Sequence, residues 1–187
     1  MKDVVIASAC RTPIGDFGGS LRSAKPIDLA ITVMRESLSR AGMEKEQVNQ
    51  VILGNCFAPI EQNIGRVASL LMGLPYEIPG LTMNCACASV SQAVITGVNA
   101  IRQGQAEVVL AGGVESMSNA PYIMETARWG QRLRHAQATD LVWKSMQEYP
   151  VGGGMGLAAE RLAEKYNFSR EEQDNWPWAA IRGPWPL

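Results

Sequence analysis

The sequence is short of nearly everything that would mark a metal, nucleic-acid or membrane protein. Its 187 residues include one histidine, His135, and four cysteines. Cys85 and Cys87 stand one residue apart, which is not a zinc-ligand spacing, and a single imidazole adds little, so no metal is expected. Neither sign of charge is in excess: 17 basic and 18 acidic residues give a net charge of −1, spread along the whole length. That excludes the basic stripe of a nucleic-acid-binding protein and the cationic cluster that seeks an anionic membrane surface. Long hydrophobic runs are missing too, the longest being short pieces such as Val108–Val114, so no membrane span is expected. The opening stretch has too brief an apolar segment for an export signal. A cytoplasmic protein with its four cysteines as free thiols is the expectation.

What is present is ordinary globular material, 47% apolar and 19% charged, enough for one domain with a core plus an excursion. Asp3–Ala9 is β-branched and apolar and reads as a strand, followed by a loop through Pro13, Gly15, Gly18 and Gly19. From Pro26, the residues Leu29, Ala30, Val33, Met34, Leu38 and Ala41 recur at helical spacing until Gly42 stops them. Val48–Gly54 is a second strand. Ile64, Val67, Ala68, Leu71 and Met72 form a second helix, closed by Gly73 and Pro75. Leu81–Cys85 is a short strand, and a helix runs from near Ala88 to Gly104, apolar enough all round to predict burial on more than one face. Glu107–Ala111 is a further strand. Strands alternating with helices predict an α/β layered fold on a largely parallel sheet.

After Gly113 the pattern changes. Asn119–Gly154 has no sustained period and reads as an excursion from the sheet. Met155–Tyr166 returns to helix, and Ser169 with Glu172 forms a capping box that announces another. The residues from Asn175 to Leu187 then bring three prolines, three tryptophans and a glycine. A proline inside a helix costs about 3 kcal/mol, so the expectation is that the announced helix does not form and that the tail is foreign to the fold. A shifted reading frame accounts for such a tail. Read two bases on, Trp176-Pro177-Trp178 encodes alanine, then leucine, methionine or valine, then glycine, and the continuation can spell a good helix.

The chemistry centres on Cys87, at a strand-to-helix turn. A thiol at a helix amino terminus meets unpaired N–H groups and the positive end of the dipole, which favour the thiolate a nucleophile needs. Read from position alone, Cys85 and Cys87 serve equally well as small residues packing the sheet. Cys10 and Cys56, in or just after strands, are expected to pack.

Several stretches resemble the thiolase family in the family's own order. Arg11–Gly15 with Phe17, Gly18 and Leu21 is similar to its opening motif, and Glu61–Arg66 resembles its G-Q-N-x-A-R helix start. Met83–Ala93 resembles its V-N-x-x-C-x-S-G-x-x-A nucleophile motif, and Ala111–Ser118 its A-G-G-x-E-S-M-S motif. Arg128-x-Gly130-x-Arg132 and Met155–Glu160 resemble parts of its loop domain, and the likeness runs from Lys2 to about Asp174. The resemblance implies a thiolase-like α/β fold, one incomplete layered half with a partial loop domain. Residues 1–118 would be the amino-terminal α/β domain without its last strand, 119–174 the partial loop domain, and 175–187 the aberrant tail.

The same resemblance assigns the nucleophile to Cys87. The cysteine would take an acetyl group from acyl-CoA and pass it to a second acetyl-CoA, or run the reverse cleavage, with its own N–H among the oxyanion donors. Met155 is implied in the acyl-binding region, no cofactor beyond the coenzyme A thioester is implied, and a homodimer is expected. Val90 replaces the motif's glycine, which crowds the turn or moves the helix start. Gly154 stands where biosynthetic members often have a histidine. The family's base lies in a G-H-P motif, its second cysteine in C-G-G and a further oxyanion group in N-E-A-F. None of these occurs in the 187 residues, and His135 reads as a solvated loop residue. Each such group is worth about two to four orders of magnitude in rate, so the chain is expected to be truncated and inactive alone. Its sheet edge and apolar face would be left uncovered. The alternatives are half of a split acyltransferase completed by a second chain, or a non-catalytic acyl-CoA-binding protein.

Overall fold

In the computed structural model, residues 3–57, 60–130, 133, 135–148 and 153–182 are described, without the side chains of 179–182. The chain divides into two compact units, Met1–Pro121 and Tyr122–Leu187. The first is built on a parallel sheet of β1 (Gln50–Gly54), β2 (Gly80–Met83) and β3 (Val109–Gly113), in the order β2-β1-β3. The register sets Gly54 level with Met83 on one side and with Gly113 on the other. All three strands therefore end together.

Local signals set the helices that cover this sheet. In α1 (Pro26–Ala41), proline opens the first turn and Gly42, at φ +62°, closes the last, its N–H reaching the carbonyls of Leu38 and Ser39. In α2 (Ile64–Met72), the Asn63 side chain caps by accepting from the Arg66 N–H, and Gly73, at φ +80°, terminates. The Asn63 carboxamide also donates to the Gly80 carbonyl at 2.9 Å, and Arg66 donates to the Ile78 carbonyl at 2.6 Å. The E-Q-N-I-G-R stretch thus ties α2 to the strand it precedes. Ile27, Ala30, Met34 and Leu38 of α1 meet Ile64, Ala68 and Met72 of α2 in one core with Val51 and Leu53 of β1. By the pleat, Ile52 faces the other way, and on that side α3 (Ser89–Arg102) packs on β1 and β3.

Only one face of α3 is buried. Ser89, Ala93, Gly97 and Ala100 line it, a small-residue stripe that lets the helix approach the sheet closely. Val90, Val94 and Ile95 are 46%, 38% and 50% exposed, against the expectation of burial all round. The apolar composition is real, but half of it has no cover among the described residues.

The expected first strand is also different. Asp3–Ala9 makes no ladder among the described residues, and Val5 and Ile6 are more than four-fifths exposed. The segment ties down to α1 instead. Ser8 Oγ donates to the Ser37 carbonyl at 2.7 Å, and Cys10 Sγ to the Val33 carbonyl at 3.2 Å. A cavity of about 220 Å³ is lined by Cys10, Thr12, Leu29 and Val33 together with Leu110–Glu115. Asp3–Ala9 pairs with neither outer strand of the described sheet. A β-branched run is only half of a strand; the partner edge is the other half.

The second unit begins with a two-residue antiparallel pair, β4 (Tyr122–Ile123) with β5 (Thr139–Asp140). Asp140 then caps α4 (Leu141–Gln147) through the Val142 and Trp143 N–H groups. The segment expected to be an excursion thus carries a hairpin and a short helix. Next comes α5 (Met155–Tyr166), as its spacing predicts, closed by Asn167 in the left-handed region. Arg132 of the expected loop motif and residues 183–187 of the tail lie outside the described residues.

The capping box forms as expected: the Glu172 N–H donates to Ser169 Oγ at 3.2 Å, and the Ser169 N–H to Glu172 Oε2 at 2.8 Å. The helix it announces also forms, contrary to expectation. α6 runs Arg170–Arg182 with Pro177 inside it. A reciprocal cap and an Arg170–Asp174 ion pair one turn apart offset the missing bond, and the outward Trp176 and Trp178 require no burial. No break in the helix separates 175–182 from what precedes them; Pro177 alone is at odds with its position. Pro177→Ala is expected to stabilise α6 by up to about 3 kcal/mol, read as slower amide exchange across residues 173–182. Unchanged exchange would mean the helix is not strained there.

Candidate functional site

Because the three parallel strands end level, the loops that follow them converge, and the carboxyl ends of parallel strands are where α/β sheets place their sites. These loops are 55–57 after β1, 84–88 after β2 and 114–118 after β3. Cys87 lies in the loop after β2, exposed, at the amino end of α3. Cys85 is exposed as well, so accessibility does not choose between them.

Hydrogen bonds fix the 84–88 turn. The Ala86 N–H donates to Asn84 Oδ1 at 3.1 Å, and the Ala88 N–H to the Cys85 carbonyl at 3.1 Å. Ser89, buried, works in both directions. Its Oγ accepts from the Cys85 N–H at 2.9 Å, and its hydroxyl donates to the Ala86 carbonyl at 2.6 Å. These bonds hold Ala86 at φ +50°, a left-handed conformation that costs a non-glycine residue about 1–2 kcal/mol. Such strain persists where surrounding bonds over-determine it, and it gathers at functional turns.

The helix sits directly on the strand ends. A Cβ on Gly54 would lie 2.8 Å from Ser89 Cβ, and one on Gly113 would collide with Val90 Cγ2. This settles how Val90 is tolerated where the resembling motif has glycine. The room is supplied across the gap by Gly113, and α3 still begins at Ser89.

Two residues complete the cluster that sequence reasoning did not place there. Cys56, expected only to pack, puts its Sγ 3.4 Å from the Ala86 carbonyl and 3.6 Å from Ser89 Oγ. Burial pushes its thiol pKa up, and the neighbouring Glu115 and Cys87 push in the same direction. Glu115 is half-buried. Its Oε2 accepts from the Cys56 N–H at 2.7 Å; its Oε1 accepts from the Phe57 N–H at 3.2 Å and from Asn55 Nδ2 at 3.1 Å. Burial raises its pKa, and the hydrogen bonds only partly oppose that. The level ends of parallel strands were the one sequence signal that could have found both residues. The same A-G-G-V-E-S-M-S stretch fastens the opening loop, Ser118 Oγ accepting from the Gly18 N–H and Asn119 donating to the Arg22 and Ala24 carbonyls.

The remaining expected site residues lie in the second unit. Met155 is the first residue of α5 and is 58% exposed. A Cβ on Gly154 would come 2.8 Å from Gln147 Oε1 and 3.2 Å from the Gln147 carbonyl oxygen, so a larger residue here would crowd the end of α4. His135 is exposed in an irregular segment. Among the described residues no three His, Cys, Asp or Glu side chains gather as metal ligands, and no helix is long and apolar enough to cross a membrane.

The Glu115 shift has a thermodynamic consequence. A folded pKa above the unfolded value gives a stabilising increment that is complete below the unfolded pKa and is lost as pH rises through the folded one. The stability of the native chain minus that of Glu115→Gln should therefore be more favourable at about pH 4 than at about pH 7. Paired urea melts measure the difference, and a pH-independent difference would contradict the assignment.

Comparison with known proteins gives a consistent picture. A family model described as "Thiolase, N-terminal domain" matches residues 4–182. The acetyl-CoA acetyltransferase of Pseudomonas aeruginosa is 44% identical over 180 residues, covering 93% of this chain and 45% of that protein. That of Escherichia coli K12 is 41% identical over 177 residues, covering 93% and 45%. The crystal structure of the Bacillus anthracis acetyl-CoA acetyltransferase matches with a TM-score of 0.87 at 43% identity, over 91% of this chain and 44% of that one. The chain spans about 45% of the length of these curated relatives.

Proposed function

The chain belongs to the thiolase family, and from that membership we propose that Cys87 is the acyl-accepting nucleophile of an acetyl-CoA acetyltransferase. One observation carries the proposal. An exposed thiol stands at the amino end of a 14-residue helix, in a turn forced left-handed at Ala86 and set over the converging ends of three parallel strands. The sulfur attacks the thioester carbonyl, the carbon–sulfur bond to coenzyme A breaks, and the thiol proton leaves with the coenzyme A thiol. The acetyl group stays on Cys87.

The substrate is an acyl-CoA, with no cofactor beyond it, and Met155 belongs to the acyl-binding region. The base and second cysteine that the family resemblance places in G-H-P and C-G-G motifs are not among these 187 residues. The chain alone therefore stops at the acyl-cysteine, and turnover requires a partner sequence that carries them. Four free cysteines support a reducing, cytoplasmic setting. The apolar outer face of α3 and the edge position of β2 support a homodimer.

Two measurements test this. Incubation with acetyl-CoA should leave up to one acetyl group on the peptide containing Cys87, with none after Cys87→Ala and no accumulating acetoacetyl-CoA. Acetylation confined to Cys85, or many turnovers by the polypeptide alone, would sink the proposal. Acyl-CoA binding that is indifferent to blocking Cys87 with iodoacetamide, with no acetyl transfer, would point to a non-catalytic binder. Sedimentation velocity should show a dimer; a monomer at all concentrations would remove that part.

A further inference from the structure

The loop after β1 lies between the other two because β1 is the central strand. It is therefore placed to transmit the position of one outer loop to the other. Its residues do so in the structure. On one side, Glu115 accepts from the Cys56 and Phe57 N–H groups and from the Asn55 carboxamide, and that carboxamide also donates to the Val114 carbonyl at 2.8 Å. On the other side, Cys56 Sγ donates to the carbonyl of Ala86, the residue before the nucleophile.

We propose that Glu115 is a positioning residue for Cys87: by gripping loop 55–57 it seats Cys56 beneath the Ala86 carbonyl and so holds the nucleophile's turn in its left-handed form. The proposal rests on the reading of Cys87 as the acyl acceptor. Glu115 acts through Cys56 and Ala86.

Three features point to position rather than bulk packing. Three N–H donors converge on two carboxylate oxygens, a demand a carboxylate meets and an amide does not, since its NH₂ would face another donor. The group is held half-buried although burial disfavours its charge, as its raised pKa shows, and such groups gather at functional sites more than in structural cores. The bonds end on Ala86, whose φ of +50° is the strained one in the turn. The Ala86 carbonyl takes three donors, the Ser89 N–H, Ser89 Oγ and Cys56 Sγ. Losing the Cys56 bond leaves a left-handed alanine with less to hold it there, and of the three it is the one that comes from another loop.

The test uses the 187-residue chain and four proteins: native, Glu115→Gln, Glu115→Gln/Ala86→Gly and Cys56→Ala. Acetyl transfer from acetyl-CoA to Cys87 is followed by mass spectrometry, and amide exchange by the peptide covering residues 84–89. Glu115→Gln should slow acetyl transfer by about a hundredfold, the penalty of a roughly 1 Å misplacement, and speed exchange at 84–89. Adding Ala86→Gly should recover about tenfold, because glycine takes the left-handed conformation without the alanine's penalty. Loss of fold integrity alone would not be repaired by a glycine.

Glu115→Gln within threefold of native, or no recovery on adding Ala86→Gly, overturns the proposal. If Glu115→Gln does not fold, Cys56→Ala decides: it leaves the Glu115 bonds to the Cys56 and Phe57 N–H groups and to the Asn55 carboxamide in place, and transfer within threefold of native overturns the proposal. If the native chain is never acetylated, the reading of Cys87 fails by itself. The clamp is then judged on exchange, faster at 84–89 in the variant supporting it and unchanged exchange overturning it.

Discussion

The structure depends on how closely the amino end of α3 approaches the ends of β1 and β3. Gly54 and Gly113 stand level in the register, and neither could carry a methyl group without striking Ser89 or Val90. That proximity puts the buried Ser89 hydroxyl where it can bond both the Cys85 N–H and the Ala86 carbonyl. It also brings the exits of β1 and β3 within reach of the same turn. A larger residue at either glycine would push the helix away, and the bonds that bend the chain at Ala86 would go with it. Close packing of backbone on backbone thus comes first; the thiol's placement follows from it.

The cluster around Cys87 then divides its labour. Cys87 is exposed, and its neighbours Cys56 and Glu115 are withdrawn from solvent with their pKa values pushed up. A buried carboxylate costs stability at neutral pH unless something else needs it charged. In this fold three donors need it. Burial opposes the ionisation of Glu115, while its bonds to the Cys56 and Phe57 N–H groups and to Asn55 favour it and fix the 55–57 loop. Groups held against their solvation preference in this way lower local stability in exchange for a fixed geometry.

What could be read from the sequence follows the range of the forces involved. α1, α2 and α5 are governed by their own spacing and caps, so Pro26, Gly42, Asn63, Gly73 and Asn167 mark their ends almost to the residue. The strand-to-helix turn expected at Cys87 is seen between β2 and α3. Asp3–Ala9 was misread because β propensity is local while a ladder is not; Ser8 and Cys10 found partners on α1 before any strand. Burial of α3 was overestimated because an apolar sequence says what could be covered, not what covers it. At Pro177 a penalty of about 3 kcal/mol was treated as decisive although the capping box and an ion pair act on the same helix. Cys56 and Glu115 escaped because strand pairing brings them to the turn, Cys56 through β1–β2 and Glu115 through β1–β3, across 30 and 29 residues of chain respectively.

The two regions left without cover carry one consequence together. The outer face of α3 exposes Val90, Val94 and Ile95, and β3 borders a cavity of about 220 Å³ beside Cys10 and α1. Both adjoin elements that lead to the loops around Cys87: α3 bears the turn at its amino end, and β3 leads into Glu115. Whatever covers either region acts on those elements directly, tightening α3 against Gly54 and Gly113 or fixing the exit of β3. Any cover of either region and the geometry of the Cys87 turn are therefore linked through the same few backbone contacts, because interfaces between packed elements shift as units rather than deform gradually.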